Sequence, residues 1–189
     1  MITRYPGQEY ILYQSEFIEK HIYELKLDLE IAHRLFEEAF PGKDSTWSFD
    51  KYNIFSLTAP SWTFYQVYKE LRTLVRSELG DTRDLWIQSW VNYHTQDQLL
   101  HRHHHEFEYH GYIAIEPKTT KTVFDDYEIL NKPGQIYFGP GNRYHYVEAT
   151  EPFDGIRTTI GFDIMTTYES SLVKYKEKPF SNNGLIPLL

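Results

Sequence analysis

Six of the nine histidines fall between residues 94 and 110, most of them in the run LLHRHHHEFEYHGYIAIEP. Imidazole is a good ligand for Fe(II), Zn, Ni and Cu. In an extended chain residues two apart share a face, so His103 and His105 can offer two rings to one ion. His101 shares that register and His104 points away. The other phase, His104 with Glu106, pairs an imidazole with a carboxylate on the opposite face. The cluster runs directly into an apolar strand, GYIAIEP, which sets it at the mouth of a barrel. The alternative is a solvated polar strand or a pH-sensitive surface. A metal also needs a third leg, and His145 supplies a candidate in GQIYFGPGNRYHYVE, where a strand and a Pro-Gly turn precede a His opening the returning strand.

Twelve residues beyond His145 stands Arg157, in GIRTTIGFDI. An Arg entering an apolar strand is costly unless its guanidinium meets an anion. Its fork suits a carboxylate gripped at two points, and Thr159 faces the same way with a hydroxyl. The structural alternative is an ion pair with Asp154 or Asp163. Trp90, Asn92, Tyr112 and Tyr137 are candidate cavity walls by position.

These residues must be held by a scaffold that changes character near residue 84. Before it, apolar spacing predicts helices over Asp28–Phe40 and over Trp62–Leu79, the second capped by Ser61 and ended by Gly80 as an αL residue. Short strands are expected at Tyr10–Tyr13, Ile22–Leu27 and Tyr52–Leu57. After it the reading is β: Leu85–Tyr93, Tyr109–Glu116, Thr122–Phe124, Gln135–Phe138, Tyr144–Glu148 and Arg157–Ile164, separated by Pro, Gly, Asn and Asp turns. Strands so evenly spaced, without helices between them, predict a jelly roll. The expected architecture is mainly β, of α+β class: one domain over 1–189, with 1–83 a mixed helical support, 84–166 a jelly-roll core and 167–189 a C-terminal arm on the surface. The aromatic-rich region 43–62, with Trp47, Phe49, Tyr52 and Trp62, either covers the barrel mouth or forms the seam between helices and sheet.

Composition narrows the function classes. With 19 basic against 27 acidic residues the net charge is −8, which argues against a phosphate-backbone partner. The absence of Cys removes disulfides, thiolate ligands and thiol nucleophiles together and is compatible with a reducing cytosol. The opening MITRYPGQEY lacks the apolar core of a signal peptide, and no run approaches membrane-spanning length.

Taken in order, His-x-His, a strand, Gly…Pro…His and Arg-x-Thr over residues 86–164 resemble the Fe(II)/2-oxoglutarate-dependent oxygenases, in particular small oxygenase-like proteins of marine phages and bacteria. The resemblance implies a double-stranded β-helix and a bacterial cytoplasmic setting. It also implies Fe(II), 2-oxoglutarate and O₂ as cofactor and cosubstrates. Carried over by position, His103 is the first ligand and His145 the distal one, with Arg157 and Thr159 as the 2-oxoglutarate clamp. Position 105 departs from the family, which usually has Asp or Glu there. The expected reaction is hydroxylation of a small-molecule or peptidyl substrate coupled to decarboxylation of 2-oxoglutarate to succinate. Two other classes stay open: a cupin-type three-His metal enzyme that uses no 2-oxoglutarate, and a non-catalytic jelly-roll binding module. Arg157 separates the first two, because a cupin isomerase has no need of an anion clamp.

Overall fold

Alternation along three strands sets the architecture. In Trp86–His94 (β3), Tyr109–Glu116 (β4) and Arg157–Met165 (β9), one set of alternate residues is mainly aliphatic or aromatic and packs against helices. That set includes Ile87, Val91, Ile113, Ile115, Ile160, Phe162 and Ile164. The other set, Trp90, Asn92, His110, Tyr112, Arg157 and Thr159, lines a cavity on the opposite face. A period of two in a strand buried on both sides produces this division.

The computed structural model describes residues 1–7, 10–42, 52–80, 84–166 and 184–188. The remaining strands are β1 (Ile2–Arg4), β2 (Ile11–Ser15), β5 (Thr120–Phe124), β6 (Glu128–Leu130), β7 (Gln135–Pro140), β8 (His145–Ala149) and β10 (Ile186–Pro187). Seven strands form one antiparallel sheet in the order β1-β2-β7-β4-β9-β3-β10, and β6-β5-β8 form a second. Leu12, Tyr112, Phe124, Ile129 and Tyr137 fill one end of the space between the sheets. The result is the expected jelly roll, with helices on the outer face of the larger sheet.

Those helices are α1 (Glu16–Lys20), α2 (Ile22–Ala39), α3 (Ile54–Leu57) and α4 (Trp62–Leu79). The Ser61 hydroxyl accepts the Phe64 N–H at 3.1 Å, as an N-cap should. Gly80 ends α4 with a positive φ of 76° but an extended ψ of 151°, so the chain leaves straight instead of through the αL turn expected. Two of the strands predicted before residue 84 are helical. Ile22–Leu27 opens α2: its alternating Tyr23, Leu25 and Leu27 mimic a strand, yet Leu25 continues inward through Leu29, Ala32 and Phe36 at helical spacing. Tyr52–Leu57 yields to the one-turn α3 because Asn53 caps it, accepting the Phe55 N–H at 3.0 Å. The tail is no surface arm over 184–188. There β10 pairs with the edge of β3, Leu188 is fully buried, and its N–H donates to the Leu85 carbonyl at 2.8 Å. Covering that edge removes a row of unpaired backbone groups.

Asn53 ties three of these parts together. Besides capping α3, it donates to the Ile87 and Gly184 carbonyls at 2.9 and 2.7 Å and accepts from the Ser89 hydroxyl at 2.7 Å. All of these groups would be stranded in a buried site by Asn53→Ala. The expected loss of stability in urea unfolding is about 2–4 kcal/mol; a shift below about 1 kcal/mol would show that water replaces the amide.

Candidate metal centre

The cavity lies between the two sheets, and strand register decides what meets there. Asn92 pairs with Thr159, His110 with Asp163, and Gly161 lies between Trp90 and Tyr112. A Cβ on Gly161 would fall 2.6 Å from the Trp90 ring, so glycine is what lets the indole lie across β9. His103 and His105 sit on the loop before β4, not on a strand as expected. Backbone pairing still holds them as if extended. His103 and His145 exchange N–H···O bonds of 2.9 and 2.8 Å, and the His105 N–H donates to the Gly141 carbonyl at 2.9 Å.

This brings His103, His105 and His145 together, with one ring nitrogen from each within 4.8 Å of the others. Their ring centroids are 4.4 Å (103–145), 5.3 Å (103–105) and 5.4 Å (105–145) apart. Every Nδ1 faces an acceptor: the His101 carbonyl at 2.6 Å for His103, Asp163 Oδ1 at 3.0 Å for His105, and the Arg143 carbonyl at 3.1 Å for His145. Each Nδ1 is thus placed to donate, which leaves Nε2 as the atom each ring would offer a metal. The His105 Nε2 is buried with no hydrogen-bond partner. Burial lowers the His103 pKa and depresses that of His145 to about 2, so both rings are neutral at physiological pH. In the other phase His104 is exposed and packs edge-on against Tyr144, and Glu106 is exposed too, so that pair stays outside the group.

Arg157 is 2% exposed, and its Nε and Nη1 have no hydrogen-bond partner. Burial brings its pKa down to about 10, partly offset by Tyr112, which leaves it cationic at neutral pH. Neither Asp154 nor Asp163 pairs with it among the described residues. Thr159 lines the same cavity and accepts from Asn92 Nδ2 at 3.2 Å, so its own hydroxyl proton remains available to a ligand.

Asp163 has a different task, which sequence reasoning missed. Its carboxylate accepts from His105 and also from His110 Nδ1 at 3.1 Å, and the His110 ring stacks on His105 at 3.6 Å between centroids. Burial alone would raise the Asp163 pKa; the two imidazoles outweigh it and hold the carboxyl at about 2. Burial depresses His110 to about 4. The only sequence signal for His110 was its phase with Tyr112, opposite to Ile113. Of the expected walls, Trp90, Asn92 and Tyr112 line the cavity. Tyr137 does not: it is buried beside Leu12 and Phe124, with its hydroxyl 3.0 Å from that of Tyr127. Tyr52 belongs to the seam between helices and sheet, where its hydroxyl accepts the Val91 N–H at 2.9 Å. Trp62 is exposed beside Phe17 and His21, and Trp47 and Phe49 lie outside the described residues.

Because His110 and His145 resist protonation only when folded, the unfolded chain binds more protons once pH falls below about 6.5. The metal-stripped protein is therefore expected to lose stability steadily from pH 7 to pH 5 in urea unfolding. A flat profile would mean that these rings take up protons in the folded state.

The chain matches no protein-family model and none of the curated proteins by sequence. Among solved structures it is similar to SnoK, a non-haem α-ketoglutarate-dependent carbocyclase of nogalamycin biosynthesis. The identity is 11%, with 85% of this chain and 81% of that one covered at a TM-score of 0.58. SnoN, the α-ketoglutarate-dependent epimerase of the same biosynthesis, matches at 12% identity over 57% of each chain, TM-score 0.42. A cupin-2 domain protein from Shewanella frigidimarina matches at 18% identity over 41% of this chain and 69% of its own, TM-score 0.32. Fold and site together define a double-stranded β jelly roll with a three-histidine group that could hold a metal ion. Its likeness to SnoK is one of fold. Among the described residues no helix is long and apolar enough to cross a membrane.

Proposed function

We propose that the protein is a non-haem Fe(II)- and 2-oxoglutarate-dependent dioxygenase that hydroxylates a small-molecule or peptidyl substrate. The observation that carries this reading is the buried Arg157 guanidinium, its Nε and Nη1 without a partner, in the cavity that also holds the three histidines. A buried cation with unmet donors is costly until an anion stands beside it.

His103, His105 and His145 would hold the iron through Nε2; their tied Nδ1 atoms and the orphaned His105 Nε2 fit it. Bound Fe(II) would supply the activation of O₂ that C–H hydroxylation needs. Three neutral imidazoles cancel none of the metal's charge. Asp163 compensates from one hydrogen bond behind His105 and makes that ring a stronger donor. A dication and a guanidinium in one cavity select a dianion. Arg157 binds its far carboxylate and Thr159 adds a hydroxyl donor. Trp90 and Tyr112 close the walls against water, and the Asn92 Oδ1, buried without a partner, can accept from a substrate hydroxyl or amide.

With Fe(II), ascorbate and 1-¹⁴C-labelled 2-oxoglutarate, labelled CO₂ is expected above the enzyme-free background and is lost when Zn(II) replaces iron. The three-His cupin enzyme without 2-oxoglutarate is the second reading, favoured by the imidazole at position 105. Iron binding without any CO₂ release selects it.

A further inference from the structure

Helix α2 is apolar on two sides. Leu25, Leu29, Ala32 and Phe36 are buried against the rest of the molecule, while Tyr23, Leu27, Ile31 and Leu35, each four residues on, are 79, 46, 43 and 47% exposed. At 3.6 residues per turn these four share a stripe of about 120° with Glu24, Arg34 and Glu38. Those three charged residues are exposed, as is Lys20 just ahead of the helix, and none forms an ion pair with another described residue. A helix that presents a second apolar stripe to water is built to meet a partner.

The charges say which partner. We propose that α2 is the interface of a symmetric homodimer, two copies of the helix crossing antiparallel with the two-fold axis at the level of Leu29. In that register Leu27 meets the partner's Ile31 and Tyr23 meets the partner's Leu35. Glu24 faces the partner's Arg34. Symmetry makes every pair twice. Other registers fail by charge. Centring on Leu27 sets Glu24 against the partner's Glu30, and centring on Ile31 sets Glu24 against the partner's Glu38. A parallel pairing sets each charge against its own copy. Repulsion in the wrong registers specifies the right one, as in helical zippers. Helix α2 lies on the outer face of the larger sheet and the histidine cavity on its inner face, so each copy keeps an open site.

Light scattering on a sizing column tests this with the full chain. The expected mass is twice the 22.6 kDa of the chain. Ile31→Glu should give the monomer with unchanged circular dichroism, since its side chain is on the surface. Glu24→Arg or Arg34→Glu alone should weaken the dimer about 10-fold, because two attractive contacts become repulsive. The double variant E24R/R34E should restore the dissociation constant to within about 3-fold. A wild-type monomer at about 100 µM, tighter than the loose end of specific association, would overturn the proposal. So would a dimer that Ile31→Glu leaves intact, or a double variant no better than the singles.

Discussion

Arg157→Met is expected to make the metal-free protein harder to unfold and to abolish its response to 2-oxoglutarate. Both effects have one origin. The guanidinium is buried in β9 with two of its nitrogens unpartnered, so in the absence of an anion the fold carries the desolvation cost of a cation uncompensated. Met is similar in length and apolar. It removes the charge without opening a large void, and a gain of about 1–4 kcal/mol is the scale seen when buried charge gives way to packed apolar groups. In thermal unfolding the wild type should gain stability on adding Fe(II) and then 2-oxoglutarate. The variant should start higher, keep the step for iron and lose the step for 2-oxoglutarate. On the proposed function Arg157 costs stability in the free protein in exchange for binding, a usual trade at functional sites. A variant that unfolds would show instead that Arg157 is a structural cation with a partner of its own.

The second large effect is on the metal. His145→Ala removes one imidazole of the three but none of the backbone bonds between His103 and His145, which belong to the main chain. The jelly roll should therefore persist, with its far-ultraviolet spectrum unchanged. Fe(II) affinity should fall by more than about 100-fold, since even residues that only support a ligand cost 10–100-fold. His104→Ala, on the exposed ring outside the group, should leave iron binding unaltered and serves as the control. Unchanged affinity in the His145 variant would remove that residue from the ligand set.

The parts of this site that spacing could reveal are those held by local rules. A His-x-His in extended backbone, a His after a Pro-Gly turn and an Arg at the head of an apolar strand each announce themselves within a few residues, and all three converge on the cavity. The six core strands were legible for the same reason, as alternation between turn residues. Asp163 and His110 were not. Their meeting depends on the register of β4 against β9, which pairs residues some fifty positions apart, and no local pattern encodes it. Near the N-terminus, Tyr23, Leu25 and Leu27 satisfy the period of a strand, and only the burial of Leu25 with Leu29 chooses the helix. Asn53 reads as an ordinary polar residue until the carbonyls of Ile87 and Gly184 come within its reach. Short edge pieces such as β1, β6 and β10 carry too few residues to show any period.

On the proposed function the three histidines and Arg157 form one site for a metal and a dicarboxylate. Anaerobic titration of the metal-free protein with Fe(II), followed by 2-oxoglutarate, tests it most directly. A weak visible charge-transfer band should grow on the second addition, saturate at one equivalent and be absent in Arg157→Met. Iron that binds tightly while 2-oxoglutarate produces no band, in wild type and variant alike, would contradict the account and leave the cavity to a three-histidine metal enzyme of another kind.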